Sequence, residues 1–280
     1  MIKTYYQLTK PGIIYGNAIT AMAGFFLAER GHFHLRLFIA MLLGLSLVIA
    51  SGCVFNNIMD KDIDAKMART KNRAMVIGAI KDSHASTFGF ILVICGLGIL
   101  ALFASHVAAI VAFIGFAVYV RAYTPLKRKT VWATLIGAVA GATPPVIGYT
   151  AVSGRLDAAA VILFLILIFW QMPHFYAIAI RRLEDYKAAN IPVLPVKKGL
   201  QITKAAMLLY CAGFVISTLL LTVYKYTGTT YLVVALILGL TWLAICARGF
   251  TAKNSAKWAK QTFLFSLITL TLLSLAISVL

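Results

Sequence analysis

The sequence contains little charge for its length. Only 12% of its 280 residues are Asp, Glu, Lys or Arg, whereas a soluble domain usually has about 25%. Hydrophobic residues reach 61%, above the usual level of about 45–50%. These proportions exclude an ordinary water-soluble enzyme, a disordered chain and a DNA-binding module. No nucleic-acid partner is expected, although the formal net charge is +18.

Cysteine is also scarce, and no CxxC pair occurs. The four cysteines all lie within apolar stretches: Cys53, Cys95, Cys211 and Cys246. The sequence therefore indicates neither a disulfide framework nor a zinc site. We interpret the cysteines as small buried hydrophobic residues.

Long apolar segments dominate the chain, and about 20 such residues suffice to span a bilayer as a helix. We read nine of them, at residues 12–28, 37–57, 86–104, 107–124, 132–151, 158–180, 205–223, 230–247 and 262–280. No soluble domain or linker interrupts them. The sequence thus predicts one domain over residues 1–280, an all-α bundle of about nine transmembrane helices around a central cavity open to the cytoplasm.

The positive charges predict the orientation of this bundle. If successive loops alternate between two sides, 22 of the 26 Lys and Arg residues fall on the side of the N-terminus and 4 on the other. Because inward loops carry the excess of Lys and Arg, the N-terminus is expected in the cytoplasm and Leu280 outside. Six of the eight acidic residues share the inward side, which indicates a polar site there.

The first long inward loop carries regularly spaced oxygen ligands. Asn56, Asp60 and Asp64 recur every four residues, which places them along one face of a helix. Such a stripe suits Mg²⁺, which shares its ligands with substrate phosphates. Arg69 and Arg73 follow at the same spacing and suit phosphate oxygens. We interpret the loop as a Mg²⁺–diphosphate site; the alternative is a solvated loop with interleaved salt bridges.

The second long inward loop begins after the sixth apolar segment. Glu184 and Asp185 offer further carboxylates, and Pro192 and Pro195 predict an extended or turning chain rather than a helix. Alone this loop says little, but it can face the same pocket as the first.

Several strings together resemble the UbiA superfamily of intramembrane prenyltransferases, and within it the haem-farnesylating branch. The pattern N-[DN]-x-x-D-x-x-x-D is matched by Asn56, Asn57, Asp60 and Asp64, and its extension M-x-R-T-x-x-R by Met67, Arg69, Thr70 and Arg73. The other matching strings are Tyr123–Arg128, Gly141–Gly148, Trp170–Phe175 and Asp185–Pro195. The resemblance covers nearly the whole chain. Two departures are Ala74, where many relatives have Pro, and a second acidic motif reduced to Glu184 and Asp185.

The resemblance implies transfer of the farnesyl group of farnesyl diphosphate to a vinyl group of haem B, with addition of water, in the bacterial cytoplasmic (inner) membrane. The implied partners besides the two substrates are membrane lipids and the haem A synthase or terminal-oxidase assembly. Mg²⁺ is the expected cofactor, with Asn56, Asp60, Asp64 and Asp185 as ligands. The expected catalytic residues are Asp60, Asp64, Arg69, Arg73 and Asp185. The expected substrate-binding residues are Asn57, Lys66, Tyr123, Lys127, Arg128 and His174.

His174 follows Pro173 inside an apolar segment, and ionisable residues within membranes are usually functional. One interpretation is contact with haem. The other is a histidine bound to the backbone carbonyl that Pro173 frees.

Two other functions remain open at this stage. A prenyltransferase for a quinone precursor would share Asp60 and Asp64 but would not need His174. A secondary transporter for an organic anion would also explain many spans and an inward basic site, although such transporters commonly show internal repeats, and we find no convincing repeat.

Overall fold

The computed structural model describes residues 1–279, and this part of the chain contains helices and no β-strand. Nine of its helices are long and apolar enough to cross a membrane, and we call them spans 1–9. Their bounds are Pro11–Glu29, Leu35–Met59, Asp82–Phe103, His106–Leu126, Ala133–Ser153, Ala158–Arg181, Gly199–Val223, Thr229–Phe250 and Ser255–Val279. The chain is therefore a multi-pass, all-α membrane protein, as predicted. Leu280, which the sequence places outside, lies beyond the described residues.

Each predicted apolar segment corresponds to one span, but several spans begin earlier than their apolar residues. Span 3 starts at Asp82, and span 7 starts at Gly199. The first turns of these helices are polar, so they extend past the region that hydropathy marks. Short helices cover part of the inward loops, at Lys61–Lys66, Leu183–Ala188 and Leu194–Lys197.

Spans 4 and 5 are not continuous α-helices. In span 4 a π-helix runs from Val118 to Tyr123. Span 5 is broken at Ala142, and its second half begins at Thr143 with Pro144 in the first turn. Proline is tolerated there because the first N–H groups of a helix have no partner within it. The break of span 5 thus falls immediately before its proline pair.

Consecutive spans pack side by side, and span 1 also packs against span 9, which closes the bundle into a ring. Span 1 makes its most extensive contact with the second half of span 5. Here Gly24 faces the backbone carbonyl of Pro145, and Gly148 faces that of Ala21, so closely that neither glycine has room for a Cβ atom. Two reciprocal glycines thus let the backbones of spans 1 and 5 touch.

Two details differ from the sequence-based expectations. Cys95 is exposed on the outside of span 3, whereas Cys53, Cys211 and Cys246 are buried as expected. Between Asp185 and Pro195 the chain lacks helix only at residues 189–193, where the Val193 amide donates to the Ile191 carbonyl in a tight turn, and Pro195 lies in the first turn of the helix Leu194–Lys197. Proline opens this helix instead of excluding one, because its missing N–H falls where no helical hydrogen bond is made.

Candidate functional site

The predicted carboxylate stripe lies at the C-terminal end of span 2. Span 2 ends at Met59, and the short helix Lys61–Lys66 follows after Asp60. The helical hydrogen-bond register nevertheless continues, since the Asp60 amide donates to the Asn56 carbonyl (2.9 Å) and the Asp64 amide to the Asp60 carbonyl (2.8 Å). Asn56, Asp60 and Asp64 are all buried, at 3%, 3% and 5% exposure. By contrast, the side chain of Asp62 is 63% exposed.

Each of the three aspartates between residues 60 and 64 is bound by a cation. Lys127, just beyond span 4, binds Asp60. Arg73 donates to Asp64 over 2.6 Å. Arg128 makes a two-pronged contact with Asp62, at 2.7 and 2.8 Å. Arg73 also donates to Oδ1 of Asn57 over 3.4 Å. The structure therefore brings seven of the predicted site residues together: Asn56, Asn57, Asp60, Asp64, Arg73, Lys127 and Arg128.

Lys10 is a member of this cluster that sequence reasoning missed. Its Nζ atom donates to Oδ1 of Asn56 over 2.6 Å, while Nδ2 of Asn56 donates to the Thr124 hydroxyl over 3.2 Å. Burial lowers the pKa of Lys10 to about 8. The sequence signal that could have identified Lys10 was its position immediately before span 1, on the side of the bundle that carries six of the eight acidic residues.

Burial and ion pairing shift the pKa values of groups in this cluster in opposite directions. Burial lowers the pKa of Lys127, and the neighbouring Asp60 carboxylate counteracts that shift. At the exposed edge, the hydrogen bond from Arg128 holds the pKa of Asp62 below its usual value. Four cations thus surround three carboxylates, so the cluster retains a formal excess of positive charge even before a metal ion is considered.

One carboxylate oxygen in the cluster lacks a hydrogen bond. Oδ1 of Asp60 is buried without a hydrogen-bond partner, and the nearest cation recorded for it is Arg128 at 3.8 Å. Within residues 1–279, no group of three or more His, Cys, Asp or Glu side chains is close enough to hold a metal ion. Mg²⁺, however, is usually held by one or two carboxylates together with substrate phosphates. The free oxygen of Asp60 fits that mode of binding.

The two inward loops meet at a cavity of about 300 Å³. It is lined by Met67, Arg69, Ile178, Arg181, Arg182, Asp185, Tyr186 and Phe263. Beside it, Ile63 and Met67 of the first loop pack against Ala189 and Ile191 of the second in one apolar cluster. Arg69 of the first loop and Asp185 of the second line this cavity together, whereas Asp60 and Asp64 are not among its lining residues.

Asn57 and the remaining substrate-binding candidates differ in their surroundings. Asn57 is tied to the backbone, since its Nδ2 donates to the carbonyl of Leu8 over 2.8 Å. Lys66 is exposed at the end of its short helix. Tyr123 stacks on Tyr119 with ring centroids 5.4 Å apart, and Lys127 lies 5.6 Å from the Tyr123 ring. The π-helix holds these two tyrosines beside the cations of the cluster.

His174 has a hydrogen-bond partner that neither interpretation of the sequence anticipated. Its Nδ1 lies 2.7 Å from the Ser266 hydroxyl, which itself donates to the Phe263 carbonyl over 2.6 Å. Ser266 therefore accepts from Nδ1–H, and the neutral ring keeps a lone pair on Nε2. The ring stacks on Trp170 at 4.6 Å and lies 4.9 Å from Phe263, so Phe263 separates His174 from the cavity.

Comparison with known proteins gives consistent matches over the whole chain. The sequence pattern of the UbiA prenyltransferase family matches residues 17–268. A protoheme IX farnesyltransferase of Protochlamydia amoebophila is 51% identical over 277 residues, which are 99% of this chain and 98% of that protein.

Solved structures share the fold at lower identity. A structure of digeranylgeranylglyceryl phosphate synthase has a TM-score of 0.83 at 23% identity, covering 99% of this chain and 97% of that one. A UbiA homologue from Archaeoglobus fulgidus, bound to DMAPP and Mg²⁺, has a TM-score of 0.72 at 15% identity, covering 99% and 100%.

Proposed function

The chain belongs to the UbiA prenyltransferase family, and on that premise we propose that it transfers the farnesyl group of farnesyl diphosphate to a vinyl group of haem B. The observation that carries the proposal is the similarity over the full length to a protoheme IX farnesyltransferase. The structure supplies what such a reaction needs: a buried, cation-rich cluster at one end of the bundle and an adjacent cavity between the two inward loops.

We assign the diphosphate to the cluster around Asp60. Lys10, Arg73, Lys127 and Arg128 provide fixed positive charge for its oxygens. In the absence of substrate these cations are held by Asn56 and by the three aspartates. A bound diphosphate and its metal would exchange these partners, so that the cations turn to phosphate and the carboxylates to the metal. Once turned to the phosphate, these charges would stabilise the leaving group without reorganising solvent as the bond breaks.

Mg²⁺ is the cofactor we propose, with Asp60 and Asp64 as its principal ligands. The unpartnered oxygen of Asp60 supports this assignment. Asn56 is a further candidate ligand, and Asp185, which lines the neighbouring cavity, is the weakest member of the predicted set. When bound, the metal neutralises charge on the departing diphosphate.

The reaction is an electrophilic alkylation. The bond between C1 of the farnesyl group and the diphosphate oxygen breaks, and the allylic cation is attacked by the vinyl group of haem B, which forms a carbon–carbon bond. Water then adds to the resulting cation beside the porphyrin and loses a proton, giving haem O and diphosphate. Tyr119 and Tyr123 lie next to the leaving group's cations, and aromatic faces of this kind stabilise a passing cation.

The proposed setting is the bacterial cytoplasmic membrane, with both loops facing the cytoplasm. The excess of Lys and Arg in the loops on that side supports this orientation. We also retain the proposal that the product passes to a haem A synthase or a terminal oxidase in the same membrane.

The test is to express the chain in cells that lack their own enzyme and to extract the haem. Haem B is expected to convert to a more hydrophobic species, heavier by one farnesyl group and one hydroxyl group. Purified protein in detergent should lose this activity with a chelator and regain it with Mg²⁺. If haem B stays unchanged while a hydroxybenzoate or naphthoate acceptor is prenylated, the haem assignment is wrong.

A variant at His174 tests the acceptor separately. We expect His174→Ala to weaken haem binding or turnover more than farnesyl diphosphate binding, since His174 lies behind the cavity and not within the aspartate cluster. An equal loss of both affinities would contradict this division.

A further inference from the structure

We propose that Arg69, Arg181 and Arg182 form a separate carboxylate-binding site for the two propionates of the porphyrin acceptor. This inference rests on the proposed function, because it requires an acceptor that carries two carboxylates. It concerns the cavity between the inward loops, not the aspartate cluster, and it reassigns Arg69 from the diphosphate to the acceptor.

The first argument is that the cations near the two loops fall into two groups, those paired with an aspartate and those without a carboxylate partner. Arg73 and Lys127 contact Asp64 and Asp60 of the stripe, and Arg128 contacts the neighbouring Asp62. Over residues 1–279, Arg69, Arg181 and Arg182 have no carboxylate oxygen within 4 Å. All three nevertheless line one cavity. Their charges are therefore available to a ligand without first breaking an ion pair.

The second argument is the charge of this cavity. Asp185 is the single acidic residue among those that line it. Three guanidinium groups against one carboxylate leave a formal excess of two positive charges, which equals the charge of two ionised propionates. Guanidinium groups bind carboxylates through paired parallel hydrogen bonds. A diphosphate would leave one or more of its charges unmatched here, whereas at the aspartate cluster a bound Mg²⁺ would add two positive charges to the formal excess of one.

The third argument is the shape and chemistry of the wall. Met67, Ile178 and Phe263 give the cavity an apolar side, which suits the edge of a flat aromatic macrocycle. The guanidinium carbon of Arg181 lies 5.1 Å from the centre of the Phe263 ring, so this arginine is held at the junction of the polar and apolar walls. Phe263 in turn contacts His174. A dicarboxylate porphyrin entering between the loops would meet the arginines first and the aromatic residues deeper in the bundle.

The experiment is a binding comparison with the full chain in detergent. The probes are haem B, the dimethyl ester of haem B, and farnesyl diphosphate with Mg²⁺. The test variants are the double substitution Arg181→Gln with Arg182→Gln, and the single substitution Arg69→Gln. Arg248→Gln serves as the matched control, because this exposed arginine at the inward end of span 8 does not line the cavity.

In the wild-type protein, we expect esterification of haem B to weaken binding at least about ten-fold, since charge-assisted hydrogen bonds are lost. The double variant should bind haem B at least about ten-fold more weakly and should discriminate against the ester less than the wild-type protein does, since only Arg69 remains. Arg69→Gln should show a smaller change in the same direction. Arg248→Gln should behave as wild type. Farnesyl diphosphate binding should be unchanged in all variants, which also reports that they are folded.

Three results would overturn the inference. One is equal binding of haem B and its ester by the wild-type protein. Another is a ten-fold loss of farnesyl diphosphate affinity in Arg69→Gln with haem B binding intact. The third is a double variant that binds farnesyl diphosphate normally and distinguishes haem B from its ester as strongly as the wild-type protein does. Failure of the proposed function is separate, because the wild-type protein would then not convert haem B at all.

Discussion

Three aspartates within five residues occupy different environments. Their substitution therefore tests directly whether Asp60 and Asp64, and not Asp62, form the proposed metal site. Asp60 and Asp64 are buried under Lys127 and Arg73, whereas Asp62 points outward to Arg128. We expect Asp60→Asn and Asp64→Asn each to abolish farnesyl transfer, because an amide keeps the shape of the side chain and loses the charge that holds Mg²⁺. Asp62→Asn is the matched control and should retain most of the activity in the haem-conversion assay.

Equal loss of activity at all three positions would mean that the helical stripe does not define the site. Full activity in Asp60→Asn would show that Asp60 is not part of the metal site. Because buried charges also affect folding, each variant should be compared by its yield and its elution volume in detergent.

Lys10 provides a second test at the level of residues. Its ammonium group contacts the amide oxygen of Asn56 although Lys10 lies 46 residues before it in the chain. We expect Lys10→Met to weaken farnesyl diphosphate binding by about ten-fold or more, because one charge-assisted contact is worth about 1.5–3 kcal/mol. Lys3→Met, an exposed lysine on the short helix before it, should bind normally. The measurement is calorimetric titration with Mg²⁺ present, and unchanged affinity in Lys10→Met would exclude this lysine from the site.

The stripe of Asn56, Asp60 and Asp64 was predictable because its spacing of four survives the end of span 2. The partners of these residues were only partly predictable. Lys10 lies 46 residues from Asn56 and Ser266 lies 92 residues from His174, and no local pattern links residues so far apart. The sequence therefore indicates which residues carry chemistry more readily than it indicates what they contact.

At the level of elements, the contact between spans 1 and 5 depends on two glycines. Gly148 faces the backbone carbonyl of Ala21, which cannot move aside as a flexible side chain could. We expect Gly148→Ala to destabilise the protein by about 1–3 kcal/mol through overpacking. Gly98→Ala is the control, because a Cβ atom there meets nothing within 4 Å, and alanine in a helix is favoured by about 0.5–1 kcal/mol over glycine.

The measurement is thermal unfolding of both variants in the same detergent. A Gly148→Ala protein as stable as Gly98→Ala would show that the two helix backbones separate without cost.

The nine spans were predictable as elements because each has a long apolar run. The irregularities within the spans were less predictable from the sequence. The break at Ala142 is marked by Pro144 and Pro145, but no residue marks the π-helix Val118–Tyr123 in the same way. A π-helix differs from an α-helix by one residue in its hydrogen-bond pattern, and neither hydropathy nor helix propensity distinguishes the two.

At the level of the whole molecule, the charge of the loops predicts how the bundle sits in the membrane. We expect a reporter fused after Lys129 to face the cytoplasm and a reporter fused to the C-terminus to face the outside. The physical reason is the retention of Lys- and Arg-rich loops on the cytoplasmic side. Paired phosphatase and fluorescent-protein fusions at both positions are the measurement. Reporters on the same side would show that the predicted orientation, or the number of membrane crossings, is wrong.

The contact between spans 1 and 9 also sets an order of events during biosynthesis. Span 1 is made first, yet one of its neighbours begins only at Ser255. Because translation adds about 5–20 residues per second, roughly 10–45 seconds pass between the synthesis of span 1 and the start of that neighbour. Lys10, Asp60 and Arg128 have all been made before the ribosome is halfway through the chain, whereas Phe263 comes from the last helix. The part of the site that we assign to the diphosphate can therefore assemble during translation, and the acceptor cavity is completed only when the last helix joins the first.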